Sequence, residues 1–350
     1  MFGKLAVNLN NIYIQLAILF IHIFFSILGF YNFFFNYDLS AQLLIQKTVD
    51  RQVTIARSGS TSIENYIKSL QNQLDSFVFS FQKVNENDVI DKVETRRQFE
   101  AYIQKTTKPS SGIALYDDTG KLLVIQNTQK ITTGENEDFS DYDFIQWSKD
   151  PVSKGKTFIA NPYTARAGAS KGKIIMVVAT PVYFGNKYKG TLAIRFLVGQ
   201  FKDAFITPLS TELDEDSFIV DTNGVLITGD DKLINQNLIS YAKQTKWDGS
   251  DDFVDKLSLA LKKTEARTEW KFQHPDQKNK NYLVAIRKID IPNTDKDLFL
   301  VATTPKDDIT KSLIPLRSYG SVWLFISILI TFIGGLLFIF LRTVSKHSKL

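Results

Sequence analysis

The chain contains no cysteine in 350 residues, which excludes a disulfide framework, a thiolate nucleophile and a cysteine metal site. Histidine is almost as scarce. Of the three, His22 lies in a long apolar run and His347 in the C-terminal tail, leaving only His274 between them. A histidine metal cluster or a Ser-His-Asp arrangement is therefore poorly supplied. The formal net charge is +5 and no polybasic block concentrates it, so the electrostatic footprint of a nucleic-acid binder is missing. "GASKGK", Gly168 to Lys173, lacks the spacing and trailing Ser/Thr of a phosphate loop and reads as a basic hairpin tip. The acidic runs "DEDS" and "GSDD" do not match an EF-hand and read as solvated loops. No catalytic residue, metal or cofactor is expected.

What is present is apolar and ordered. With 44% hydrophobic and 23% charged residues, the composition is globular and the length suits two domains. From Ile12 to Phe35 the sequence reads "IYIQLAILFIHIFFSILGFYNFFF", and from Val322 to Leu341 "VWLFISILITFIGGLLFIFL". Each is long enough and apolar enough to span a bilayer. The first run is too long for a signal peptide and no A-x-A-like site follows it, so an uncleaved anchor is expected. Tyr31, Tyr37, Tyr319 and Trp323 lie near the expected interfaces. Lys4 precedes the first run, and Arg342, Lys346 and Lys349 follow the second, so both termini are expected in the cytoplasm with 36–321 outside.

Beyond the first run, Leu39, Leu43, Gln46, Val49, Val53, Ala56, Ser60, Ile63, Ile67, Leu70, Leu74, Phe77 and Phe81 recur at steps of four and three. That is a helical stripe, weakened at its centre by Gly59 and the "SGSTS" around it. About forty residues at about 1.5 Å each would carry the chain about 60 Å. Either its own domain or a second subunit's helix could cover the stripe.

After Pro109 the pattern changes to strands. "SGIALYDDTGKLLVIQN" is a hairpin around "DDTG", and about a hundred residues later "DSFIVDTNGVLITGDD" repeats the device around "DTNG". A further strand pair follows each hairpin: "GKIIMVVATPVYF" with "YKGTLAIRFLVGQF", then "KNYLVAIRKIDI" with "DLFLVATTP". The region reads as a duplicated α+β module.

The order of anchor, long helix, "DxxG" hairpin, aromatic segment, "NPY" turn, apolar strand ending in Pro, "G" plus apolar strand, smaller second module and second apolar run resembles a double Cache sensor domain. The resemblance covers about Asp38 to Ser321. It implies an α+β fold: two PAS-like antiparallel-sheet modules stacked along a long N-terminal helix, flanked by two transmembrane helices. The implied organisation is a cytoplasmic N-terminus (1–11), a first span (12–35), a long helix (36–108), a distal Cache module (109–208), a proximal Cache module (209–321), a second span (322–341) and a short cytoplasmic tail (342–350). Sensors of this kind continue past the second span into an output domain. "LRTVSKHSKL" is too short for one, so either a separate cytoplasmic partner carries the signal or the sequence is a fragment.

Amino-acid-binding relatives share an arginine two places before a tryptophan, a tyrosine just after it, a tyrosine in the "PY" turn and an aspartate in the last strand. This chain keeps Trp147 and Tyr163 but has Ile145, Ser148 and Arg195 at the other positions. A guanidinium in place of the amine-gripping aspartate favours a carboxylate or phosphate. The expected ligand is thus a small anion held by Arg195 with Arg166, between Trp147 and Tyr163. The alternatives are that Arg195 lies on a solvated strand face, that Trp147 and Tyr163 are core, and that the chain is a surface-anchored structural or adhesion protein without a ligand. The proximal module, lacking a Trp-plus-Arg cluster, is expected to transmit rather than bind. A homodimer through the long helix is a further expectation.

Overall fold

The computed structural model describes residues 2–84, 90–105, 110–129, 134–166, 168–209, 216–275 and 279–311, with short pieces of 322–340. The chain divides into two units, Met1–Lys47 with Asp307–Leu350, and Thr48–Lys306. In the first unit, helix α1 (Phe2–Val84) begins, and large apolar side chains such as Phe20, Phe24, Phe25, Ile27 and Tyr31 stand open on it. Ser26 Oγ shares a 2.5 Å hydrogen bond with Ser327 Oγ, so the two apolar runs meet there. Among the described residues no helix is long and apolar enough to cross a membrane. Part of both expected spans, 12–35 and 322–341, falls outside the residues whose side chains are described.

In the second unit the helical stripe is consumed at home. Val53, Ala56, Ile63, Ile67, Leu70, Leu74 and Phe81 are buried, each stabilising by about 1.5 to 3 kcal/mol for the larger side chains. A partner helix could not use this face. Gly59 is not a weakness either: a Cβ there would meet Leu209 and Leu300 methyls at 2.5 and 2.6 Å. Gly59→Ala should gain about 1 kcal/mol of helix propensity and lose about 1 to 3 through overpacking. A urea melt of the variant should show net destabilisation; a more stable variant would mean the leucines move aside.

The single helix expected over 36–108 is two. α1 ends at Val84, and α2 (Lys92–Lys105) packs antiparallel to it, with Phe99 against Phe77 and Phe81 at ring separations of 5.5 and 6.5 Å. Asp91 starts the second helix, its Oδ1 accepting from the Val93 and Glu94 amides at 2.8 and 3.2 Å.

The first module contains β1 (Ser110–Asp117), β2 (Leu122–Asn127), α3 (Asp143–Lys149), β3 (Phe158–Ile159), β4 (Tyr163–Thr164), β5 (Ile174–Phe184), β6 (Lys187–Leu197) and α4 (Val198–Phe205). The second has β7 (Asp216–Asp221), β8 (Leu226–Thr228), α5 (Leu238–Thr245), α6 (Ser250–Ala260), β9 (Glu265–Phe272), β10 (Lys280–Ile289) and β11 (Leu298–Pro305). The sheet orders are β2-β1-β6-β5-β3, with β4 also on β5, and β8-β7-β11-β10-β9. They are the same order twice. The second sheet closes at Pro305, and 312–321, assigned to the proximal module, lie outside the described residues.

The repeated hairpins share one mechanism. Asp117 Oδ1 accepts from Thr119 N, Thr119 Oγ1, Gly120 N and Lys121 N at 2.6 to 2.9 Å. Asp221 Oδ1 accepts from Asn223 N and Val225 N, both at 2.9 Å. A carboxylate satisfying turn amides is why "DxxG" recurs at both places. Each sheet then offers one face to α1, through Leu192, Ile194 and Phe196 in the first module and Ala285 and Ala302 in the second. The opposite faces are covered by α3 with its neighbouring loops and by α5 and α6.

Candidate functional site

Alternation along β6 decides where Arg195 points. Leu192, Ile194 and Phe196 enter the core beneath α1, so Ala193 and Arg195 belong to the other face, with Ala114 and Tyr116 of β1 and Ile175, Val177 and Ala179 of β5. Arg195 is paired across the ladders with Gly112 and Val177 and is only 5% exposed. This excludes the solvated strand face. Its Nε is buried and has no hydrogen-bond partner among the described residues. A guanidinium in that state carries an uncompensated desolvation penalty unless an anion answers it.

The residues around it are phenols. Tyr142, at the N-cap of α3, has a buried Oη that is likewise unpartnered. Its ring lies 5.0 Å from that of Tyr163 on β4. Burial pushes the hydroxyls of Tyr116, Tyr142 and Tyr163 above the ordinary phenol value, Tyr116 to about 12. The charge of Arg195 opposes that rise at Tyr116 and Tyr163, and at Tyr142 Arg166 opposes it more strongly with Arg195 adding to it. All three rings therefore sit within electrostatic reach of one cation and stay protonated, able to donate to an anion.

Trp147 projects half-buried from α3, 5.3 Å from the Phe158 ring on β3. Arg166 does not join the buried group: it is exposed, pairs with Asp141 at 2.7 Å and lies 4.6 Å from the centre of the Tyr142 ring. Its charge is already answered by Asp141, and it does not share the buried face that Arg195 occupies. Ile145 and Ser148 are both fully buried, the isoleucine in the core and the serine hydroxyl bonded to Phe144 O at 2.7 Å. Position 145 thus holds packing here, not a cation.

Sequence reasoning missed Tyr142 and Phe158. Tyr142 stands five places before Trp147 in the same aromatic segment, the one signal that could have raised it. Among the described residues no group of His, Cys, Asp or Glu could hold a metal ion. A groove of about 570 Å³ runs between α1 and α2 past Asn72, Ser76, Arg97, Gln98 and Tyr102. It is open and lies between the two helices, away from the face that Arg195 occupies.

A duplicated sheet with an Asp-turn hairpin in each half, strung on one long helix, is matched from residue 40 to 313 by the family model described as Cache domain, of double Cache type. The chain belongs to the Cache domain family. Similar solved Cache-fold structures include the periplasmic sensory domain of the Campylobacter jejuni chemoreceptor Tlp1, 12% identical, TM-score 0.61, covering 77% of this chain and 98% of that one. The ligand-binding domain of the Pseudomonas fluorescens chemoreceptor CtaA in complex with L-serine is 13% identical, TM-score 0.53, covering 75% and 99%. The extracellular domain of the putative histidine kinase rpHK1S-Z16 is 13% identical, TM-score 0.58, covering 76% and 97%. No curated protein matches. At these identities the likeness establishes the fold.

The second Cache module fills the equivalent face. Asp221 pairs with Leu298 as Asp117 pairs with Gly190, and five residues further along β11 Thr303 falls where β6 has Arg195. Over that face Trp247, Phe253, Trp270 and Phe272 pack at ring separations of 5.1 to 5.8 Å. A threonine beneath an aromatic core replaces the arginine beneath phenols.

Proposed function

We propose that this Cache protein is a membrane-anchored sensor, with 36–321 outside the membrane, whose first module binds a small anion at Arg195. The observation that carries the reading is the buried Arg195 Nε with no partner, within electrostatic reach of Tyr142, whose Oη is equally unpartnered. An arginine serving only the fold would be paired, and a scaffold without a ligand would have no use for this cost. Tyr163 and Trp147 form the aromatic walls of the site, and Arg166 closes over Tyr142 from outside. The protein acts as a binding module and performs no reaction. Binding shifts an equilibrium of α1 or of the segment leading to the second span by as much as the anion prefers one state. A separate cytoplasmic partner would receive the signal, and a homodimer would use the face of α1 opposite the buried stripe.

A thermal-shift screen of the purified full chain against acetate, succinate, glutarate, phosphate, L-serine and L-alanine tests the reading. At least one anion should raise the midpoint in a concentration-dependent way; a response to the amino acids alone would overturn it. Tyr142→Phe should leave the unliganded midpoint unchanged or higher and weaken the responding anion about three- to tenfold, as the loss of one hydrogen bond implies. The membrane reading predicts that protease added to intact cells spares a tag at Leu350, and cleavage of that tag would refute it.

A further inference from the structure

The loop between β10 and β11 belongs to the second module by sequence but ends inside the first. Asn293 O accepts from Thr157 N at 2.8 Å, Asp295 N donates to Thr157 O at 3.2 Å, and Thr157 and Thr294 form an isolated parallel bridge. Asp295 Oδ1 accepts from Ile159 N at 2.7 Å. Pro292 O is held from the other side by Gln71 Nε2 of α1 at 2.9 Å. The loop tip is thus fixed by hydrogen bonds on both sides, from the first module's backbone and from the Gln71 side chain, and the next side chain is Lys296.

Lys296 crosses to the first module's aromatic wall. Its Nζ donates to Asn161 Oδ1 at 2.5 Å and stands 5.9 Å from the centre of the Phe158 ring, the ring that touches Trp147. Asn161 opens the same "NPY" turn that carries Tyr163. The ammonium is half-buried, and among the described residues it forms a hydrogen bond to a neutral amide and no ion pair. Burial holds its pKa below the ordinary lysine value, against the more distant pull of Asp295, Asp221 and Asp143. An amide and a ring face satisfy an ammonium only partly, leaving donor capacity free.

The register relates the two cations. Arg195 pairs with Val177 and Phe158 with Ala179 on the same strand β5, which puts the Cα atoms of Arg195 and Phe158 about 12 Å apart from strand spacing and rise. Arg195 and Lys296 therefore reach toward one aromatic-walled strip from opposite ends.

Building on the anion reading above, we infer that Lys296 is a second cationic contact of the first module's site, delivered by the second module, and that the site selects an anion with two acidic ends, of dicarboxylate class. One end meets Arg195 and Tyr142; the other replaces or shares Asn161 at Lys296. A monocarboxylate would satisfy only the first. Because the same loop is bonded to α1 through Gln71, the second end is also the one whose binding is felt outside the first module.

Calorimetric titration of the purified full chain with acetate, succinate and glutarate tests this. The wild type should bind at least one diacid ten times or more tighter than acetate. Lys296→Met should reduce that diacid to the acetate level and leave acetate unchanged, acetate binding serving as the control that the site is folded; Lys296→Arg should retain most of the preference. Arg195→Met should remove both acids. An unaltered diacid-to-acetate ratio in Lys296→Met, with binding still lost in Arg195→Met, overturns the role of Lys296 and leaves the anion site standing. A wild type that binds none of the three acids overturns the diacid inference, and the anion reading then falls too if phosphate gives no thermal shift.

Discussion

Arg195→Met is expected to move stability and binding in opposite directions. Arg195 is 5% exposed with an unpartnered Nε, so an unbranched apolar stem in place of its guanidinium removes a desolvation penalty. The unliganded protein should gain about 1 to 3 kcal/mol, which is a rise of roughly 2 to 4 °C per kcal/mol for a unit of this size. Binding of the anion should weaken by about 2 to 4 kcal/mol, roughly 30- to 1000-fold, because a charge-assisted bidentate contact is lost and its partner is left desolvated. Arg195→Asp should bind the anion more weakly still, since it adds repulsion, and could admit an amine. Differential scanning calorimetry with a parallel titration reads both effects. A variant that melts lower and binds as tightly as the wild type would show a structural arginine and no site.

Gly190→Ala is expected to have the largest effect on folding. Gly190 lies on β6 between β1 and β5, paired with Asp117 and Val182, at φ +151°. A Cβ built there would lie 2.0 Å from Tyr116 O, an acceptor in the backbone of the neighbouring strand that cannot rotate away. Relief requires the two central strands to separate next to the Asp117 turn. We expect a loss of more than about 3 kcal/mol and a urea midpoint far below wild type. A loss under about 1 kcal/mol would mean that the strand pair is looser at this point than its register indicates.

The parts of this structure legible in the sequence are those set by short-range rules. An aspartate three places before a glycine fixes both hairpins because the carboxylate caps amides within the same turn, and period-two alternation was enough to put Arg195 opposite Leu192, Ile194 and Phe196. The stripe on α1 was equally legible, whereas what covers it was not: the same pattern serves a partner helix, and only the packed chain shows Ile63 to Leu74 against its own sheets. The helix break before α2 was missed although Asp91 marks it. The pairing of Arg166 was not legible, because nothing local reveals that Asp141, twenty-five places earlier, meets it. Tyr142 and Lys296 escaped for the same reason, since their significance comes from neighbours contributed by β6 and by the "NPY" turn.

The most direct measurement is a crystal structure of the full chain grown with whichever anion raises its melting temperature most. The account predicts one anion in the first Cache module, with an acidic oxygen within hydrogen-bond distance of Arg195 Nε and Tyr142 Oη. An anion bound elsewhere, with Arg195 Nε still unpartnered beneath the three tyrosines, would contradict it.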